Sequence, residues 1–220
     1  MQIIHTTNPE EGIISLGNTI GNALKEGRNV LWVLCGGSNV KYSVEVMNMI
    51  QSFVAKKDLM RLTVTLSDER FGDVGHKDSN WQQLLDAGFE TKNVNLLPVL
   101  TGLDLDKTKE EFSIKVKKAY NKADIIIGQL GIGTDGHIAG VLPESRGVVD
   151  SSVAVAYEAN DYVRITLTLK MIKKMSVIFV FAFGETKKVA ISNLESNEMS
   201  LHQMPAQILK QVKDVRVYCD

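Results

Sequence analysis

Apolar positions along this chain fall into two rhythms. Compact apolar runs occur at Asn29–Cys35 (NVLWVLC), Leu62–Leu66 (LTVTL), Ile125–Ile127, Val163–Leu169, Val177–Phe183 (VIFVFAF) and Val215–Cys219. Runs of this length, rich in β-branched residues and bounded by glycine or polar residues, predict buried strands. Between them the spacing turns helical. Pro9–Glu26 carries Ile13, Ile14, Leu16, Ile20 and Leu24, with Asn8 and Pro9 in cap and first-turn roles. Val40–Ala55 places Val44, Met47 and Phe53 near one face, and Ser79-Asn80 caps a helix over Trp81–Ala87. Asp106–Asn121 is a charged helix with a narrow stripe at Phe112, Ile114 and Val116. Met171-Ile172 starts a short helix, a helix through Leu194 follows Gly184, and another spans Pro205–Val212. Asn93–Val99 is a short apolar segment broken by Pro98, and Val148–Ala156 is a stretch of small and apolar residues. Strands alternating with helices imply an α/β fold with a largely parallel sheet. No internal repeat, low-complexity tract or linker divides the 220 residues, so one domain over 1–220 is expected.

Composition narrows the function classes. The chain is 44% apolar and 23% charged, enough for a sizeable core. With 25 basic and 26 acidic residues the net charge is -1, so no global field favours nucleic acid or an anionic membrane. A small anionic substrate needs only two or three local cations. Cys35 and Cys219 lack metal-ligand spacing, and the start MQIIHTTNPEEG lacks a basic-then-apolar signal. The expectation is a protein of the reducing cytoplasm with free thiols.

Candidate chemistry gathers where strands end. In open α/β sheets ligands bind outside the carboxyl ends of the strands. The central stretch, Ala123–Glu144, runs from a strand into Gly128, Gly131, Gly133 and Gly136 around Asp135-Gly136-His137. By itself this triplet also fits a tight turn with a surface histidine. Gly36-Gly37-Ser38 follows the first long strand and opens a helix, a place suited to phosphate, although many strand-to-helix turns contain two glycines. Ser67-Asp68-Glu69-Arg70 ends the Leu62–Leu66 strand, and Phe71–Ser79 is too irregular for an element. Arg164 is an anion contact or an ordinary edge arginine. Lys187 lies near a helix start, where the dipole disfavours a cation, and this favours a bound anion.

Six motifs then stand in one order: GGS at Gly36–Ser38, DER at Asp68–Arg70, HxDSN at His76–Asn80, GxGxDGH at Gly131–His137, RITLT at Arg164–Thr168 and GxxK at Gly184–Lys187. With the ending PAQIL…VRVYCD, the chain resembles the glucosamine-6-phosphate isomerase/6-phosphogluconolactonase family. The resemblance implies a single Rossmann-like domain and hydrolysis of 6-phospho-D-glucono-1,5-lactone without a metal or organic cofactor, with a sugar phosphate as the small-molecule partner and a monomer or homodimer as the assembly. For that reaction His137 is the candidate general base, Asp135 orients the loop or the imidazole, and Arg70 stabilises charge on the carbonyl oxygen or holds the substrate. Gly36, Gly37, Ser38, Arg164 and Lys187 fall at the phosphate, with Asp68 and Asn80 also on the substrate; neither Cys35 nor Ser79 is assigned as a nucleophile. DER followed by HxDSN resembles the lactonases, and IGTDGHIA resembles the deaminases. Leu142 stands before Pro143 where deaminases carry a glutamate. Asn39-Val40 after GGS, Gly140-Val141-Leu142-Pro143 after DGH and Asp161-Tyr162-Val163 before Arg164 depart from the lactonase pattern. Deamination of glucosamine 6-phosphate and sugar-phosphate binding without catalysis are the rival expectations. A dinucleotide oxidoreductase is disfavoured because no complete GxGxxG follows the Asn29–Cys35 strand.

Overall fold

Strands buried on both faces must be continuously apolar, and helices must cover them. The computed structural model, which describes residues 1–159 and 161–220, is built on that rule. The chain begins β1 (Gln2–His5), α1 (Glu10–Lys25), β2 (Val30–Leu34), α2 (Val40–Phe53), α3 (Lys56–Leu59) and β3 (Leu62–Leu66). It continues through β4 (Asp68–Arg70), α4 (Asn80–Asp86), β5 (Asn95–Leu97), α5 (Leu105–Lys122), β6 (Ile125–Leu130) and α6 (Arg146–Val149). The last part is β7 (Ala154–Glu158), β8 (Val163–Leu167), α7 (Leu169–Ile172), β9 (Val177–Ala182), α8 (Lys188–Ser196) and β10 (Val215–Cys219).

Seven strands form one sheet in the order β1-β10-β9-β6-β2-β3-β5, and every neighbouring pair is parallel. β2 and β9 are buried throughout, and Trp32, Phe179 and Phe181 fill the core around them. From β2 the chain steps outward to β3 and β5. It then returns to β6, on the other side of β2, and steps away through β9 and β10. The direction of winding therefore reverses between β2 and β6. At such a switch point the loops leaving the two strands diverge and open a crevice at the sheet's carboxyl edge.

A second sheet, β4-β8-β7, is antiparallel and stands at that edge. The chain crosses into it directly after β3. The Ser67 N–H donates to the Leu34 carbonyl at 2.6 Å, and the Leu167 N–H donates to the Ser67 carbonyl at 2.8 Å.

Several expectations change in three dimensions. Asp68–Arg70 is a strand rather than a strand-ending turn, because β8 supplies its ladder from far along the chain. The expected Val163–Leu169 strand stops at Leu167, and Leu169 opens α7. Pro205–Gln211 winds as a 3-10 helix rather than an α-helix. Ile14 and Ile114 are exposed, so the buried stripes of α1 and α5 are narrower than the apolar pattern. Ser79 caps α4 by accepting from the Gln82 N–H, and Asn80 is its first residue. β1 was not anticipated; four residues with two half-buried isoleucines become a strand only through parallel pairing with β10. Among the described residues no helix is long and apolar enough to cross a membrane.

Candidate active site

The crevice at the switch point is a cleft of about 190 Å³. The loop after β2 contributes Gly36, Gly37 and Ser38, β4 contributes Asp68 and Arg70, and the loop after β6 contributes Gly131 and His137. Asn80, Arg164 and Lys187 complete the polar lining, with Ile132, Ala139 and Phe181 as the apolar wall. Every residue expected at the site lines this cleft except Asp135, which reaches it through His137.

The alternation of a strand explains how DER divides its work. Side chains two apart share a face, and directly opposed residues of antiparallel strands share it too. Asp68 is opposite Thr166, and Arg70 is opposite Arg164, so all four face one way. Tyr157 of β7, opposite Arg164, joins the same face, and its hydroxyl donates to the Gly140 carbonyl. Gly140 N–H in turn donates to Thr166 Oγ1 at 3.0 Å. These bonds tie the DGH loop to the small sheet at the residues that depart from the family pattern.

Glu69 points the other way and is fully buried. Its Oε1 accepts from the N–H groups of Arg70 and Asn80, both at 2.7 Å. Its Oε2 accepts from the Ser79 hydroxyl at 2.8 Å and the Trp81 N–H at 3.1 Å. Burial pushes this carboxyl upward, and the four donors pull against that shift. Sequence reasoning quoted DER but gave Glu69 no part. The signal available was the SN of HxDSN at a helix start, where an acidic group completes the capping.

The DGH loop is folded around an acid–imidazole pair. His137 Nδ1 lies 2.7 Å from Asp135 Oδ1, and the His137 N–H donates to the same oxygen at 3.1 Å. A Cβ on Gly133 would come 2.0 Å from His137 Nδ1, so a side chain there and the pair are incompatible. Ala139, in the cleft wall, holds φ 52, a left-handed conformation that costs an alanine roughly 1–2 kcal/mol. The bridge of Ile138 to Val141 and the bonds at Gly140 fix that conformation. The hydrogen bond from His137 holds the Asp135 carboxyl down, from its ordinary 3.8 to about 2. A carboxylate ionised at neutral pH cannot donate, so Nδ1 carries the proton and Nε2 of the neutral ring is left with its lone pair.

That depression has a measurable consequence. The stabilisation from ionised Asp135 is fully present above its ordinary value and is lost as pH falls through about 2. Thermal unfolding of Asp135→Asn against the native protein is expected to show a deficit at about pH 4 that shrinks as pH falls toward 2. A deficit unchanged across that window would show that the carboxylate charge is not what matters.

Around the pair stand cations and unfilled polar atoms. Arg164 is buried, with Nη1 3.8 Å from Asp68 Oδ2 and Nη2 2.7 Å from Asp161 Oδ2. Asp68 is itself buried and accepts the Ser67 hydroxyl at 2.8 Å. Arg70 Nη1 donates to the Asp78 carbonyl at 2.7 Å. Lys188 is paired with Glu185, whereas Lys187 is half-buried and has no ion-pair partner among the described residues. Ser38 is exposed in the 3-10 turn Gly37–Asn39 that leads into α2. The N–H groups at such a start have no helical acceptor and suit an anion. Asn80 Nδ2 donates to the Asp68 carbonyl at 3.0 Å, and its buried Oδ1 has no donor among the described residues. A Cβ on Gly36 would lie 1.9 Å from that oxygen, which is why the GGS turn needs glycine there.

Cys35 lines the cleft, but burial first and the Asp68 charge second push its thiol far up, so it offers no thiolate. Ser79 is committed to Glu69 and to the cap of α4. His76 caps its own loop, with Nε2 3.0 Å from the Arg70 carbonyl, and does not line the cleft. His5 and His202 are surface residues near Glu195 and Glu144.

A family model described as glucosamine-6-phosphate isomerases/6-phosphogluconolactonase matches residues 13–218. The chain belongs to this family. A 6-phosphogluconolactonase of Borreliella burgdorferi is 27% identical over 192 residues, covering 81% of this chain and 78% of that protein. A glucosamine-6-phosphate deaminase of Lactobacillus johnsonii is 26% identical over 237 residues, covering 100% and 95%. The crystal structure of a 6-phosphogluconolactonase from Thermotoga maritima superposes with a TM-score of 0.82 at 19% identity, covering 99% of both chains. Similarity of this degree places the fold within the family; choosing between the family's two chemistries falls to the site.

Proposed function

We propose that this protein hydrolyses 6-phospho-D-glucono-1,5-lactone to 6-phospho-D-gluconate in the oxidative pentose phosphate pathway, as a single cytoplasmic domain. The observation that carries the reading is the Asp135–His137 pair set in a cleft with Arg70, Arg164 and Lys187. Lactone hydrolysis needs an activated water, a site for the developing oxyanion and a fixed substrate. A neutral imidazole with a free Nε2 is the base such a water needs near pH 7.

The 6-phosphate sits on Arg164, Lys187, the Ser38 hydroxyl and the N–H groups of the Gly36-Gly37 turn. Asp68 and the open Oδ1 of Asn80 accept from sugar hydroxyls. Nε2 of His137 takes a proton from water as its oxygen bonds to the lactone carbonyl carbon. Arg70 stabilises the resulting oxyanion. The intermediate collapses by breaking the bond to the ring oxygen, which receives the proton back from His137 and becomes the 5-hydroxyl. The new carboxylic acid gives its proton to solvent. No covalent enzyme intermediate is required.

Deamination is the lesser reading because Leu142 occupies the place where the deaminases carry a ring-opening glutamate. The test is consumption of freshly generated 6-phosphogluconolactone, corrected for spontaneous hydrolysis, with ammonia release from glucosamine 6-phosphate followed in parallel. Rapid lactone loss without ammonia is expected. Ammonia release would transfer the assignment to the deaminases, and inactivity on both substrates would leave a binding protein.

A further inference from the structure

The antiparallel pairing of β4 with β8 places Arg70 directly opposite Arg164. Like charges so placed are destabilising unless each finds a counter-charge. Arg164 has a side chain only 9% exposed, and leaving a buried guanidinium unpaired is costly. Two carboxylates answer it, and they differ in kind. Asp68 is buried, lies at 3.8 Å and is engaged by Ser67. Asp161 is half-exposed, sits beyond the start of β8 and makes the shorter contact at 2.7 Å. The next residue, Tyr162, places its ring against both arginines, 5.0 Å from Arg70 Cζ and 5.8 Å from Arg164 Cζ. One aromatic ring thus attracts both guanidiniums. The Nε of each arginine is buried and has no hydrogen-bond partner among the described residues.

We propose that Asp161 is the resident counter-ion of Arg164, displaced when the substrate's phosphate binds, and that Tyr162 holds both arginines in place for that exchange. This rests on the reading above that Arg164 receives the 6-phosphate. A phosphate brings more charge than a carboxylate and matches the planar donor fork of arginine, so it wins the exchange. Its affinity is lowered by the cost of releasing Asp161. The exposed position lets the displaced carboxylate return to water, which Asp68 cannot do. Asp161 therefore sets how tightly the site holds phosphorylated ligands, with little effect on ligands that lack phosphate.

The experiment is calorimetric titration of the whole protein with inorganic phosphate, 6-phosphogluconate and gluconate. Asp161→Asn keeps the shape and removes the charge. It is expected to tighten phosphate and 6-phosphogluconate binding by about three- to tenfold, the scale of one partly exposed ion pair, and to leave gluconate unchanged. Asp161→Ser should move both phosphorylated ligands the same way, whereas Tyr162→Leu should weaken them. Unchanged or weaker binding in both Asp161 variants, with native-like unfolding curves, overturns the counter-ion role alone. A native protein that binds neither phosphate nor 6-phosphogluconate overturns the phosphate reading and this proposal with it.

Discussion

Replacing His137 with asparagine is expected to lower kcat for lactone hydrolysis by about 10²–10⁴-fold, the usual contribution of a positioned general base. The amide approximates the imidazole in size and can still donate to Asp135, so the loop keeps its shape. It has no lone pair basic enough to take a proton from water near neutrality. Because His137 is not among the proposed phosphate contacts, 6-phosphogluconate should bind His137→Asn about as it binds the native protein. The measurement pairs single-turnover lactone consumption, corrected for the spontaneous rate, with product titration. Unchanged turnover would remove His137 from the mechanism. Lost turnover accompanied by lost binding would make it a structural residue.

The second large effect is expected at Glu69, which touches no part of the proposed substrate. Truncation to alanine strips the acceptor from three backbone N–H groups and the Ser79 hydroxyl at once, in a fully buried place. Buried donors left unpaired cost roughly 1–3 kcal/mol each before water or relaxation offsets them, so a net loss of about 3–5 kcal/mol is expected. In a chain of this size that corresponds to a Tm lower by roughly 10–15 °C. Arg70 and Asn80 are held through their own backbones by this carboxylate, so kcat/KM should fall even at temperatures where the variant remains folded. Glu69→Gln is the finer probe. Its carbonyl can serve one pair of donors, while its NH₂ faces the other pair without an acceptor. A glutamine variant with native stability and activity would show that these bonds are dispensable.

Glu69 also marks where the chain's pattern stops being readable. The buried strands were legible because a strand covered on both faces has to be apolar along its whole length, as Val30–Leu34 and Val177–Ala182 are. The longer helices were legible to within a few residues because their apolar spacing and caps are local properties, whereas the four-residue α3 and α6 were not. The glycine-rich turns were legible as turns, and the order of six short motifs pointed to one family. All of this information lies within a few residues of where it is used.

Only the tertiary structure decided the rest. Asp68–Arg70 carries nothing apolar, and three polar residues form a strand solely because β8, almost a hundred positions later, offers them a ladder. β1 depends in the same way on β10, at the opposite end of the chain. That pairing of β4 with β8 turns Asp68 and Arg70 toward the cleft and Glu69 into the interior, a division that the letters DER cannot express. It also sets Arg70 against Arg164 and brings Asp161 and Tyr162 to them. By itself the sequence determined an α/β fold, the order of its long buried strands and longer helices, and which loops carry polar chemistry, since local periodicity and turn geometry suffice for these. Which polar side chains share one face of the site, and which of them only hold the others, was decided by contacts between distant segments that no local pattern encodes.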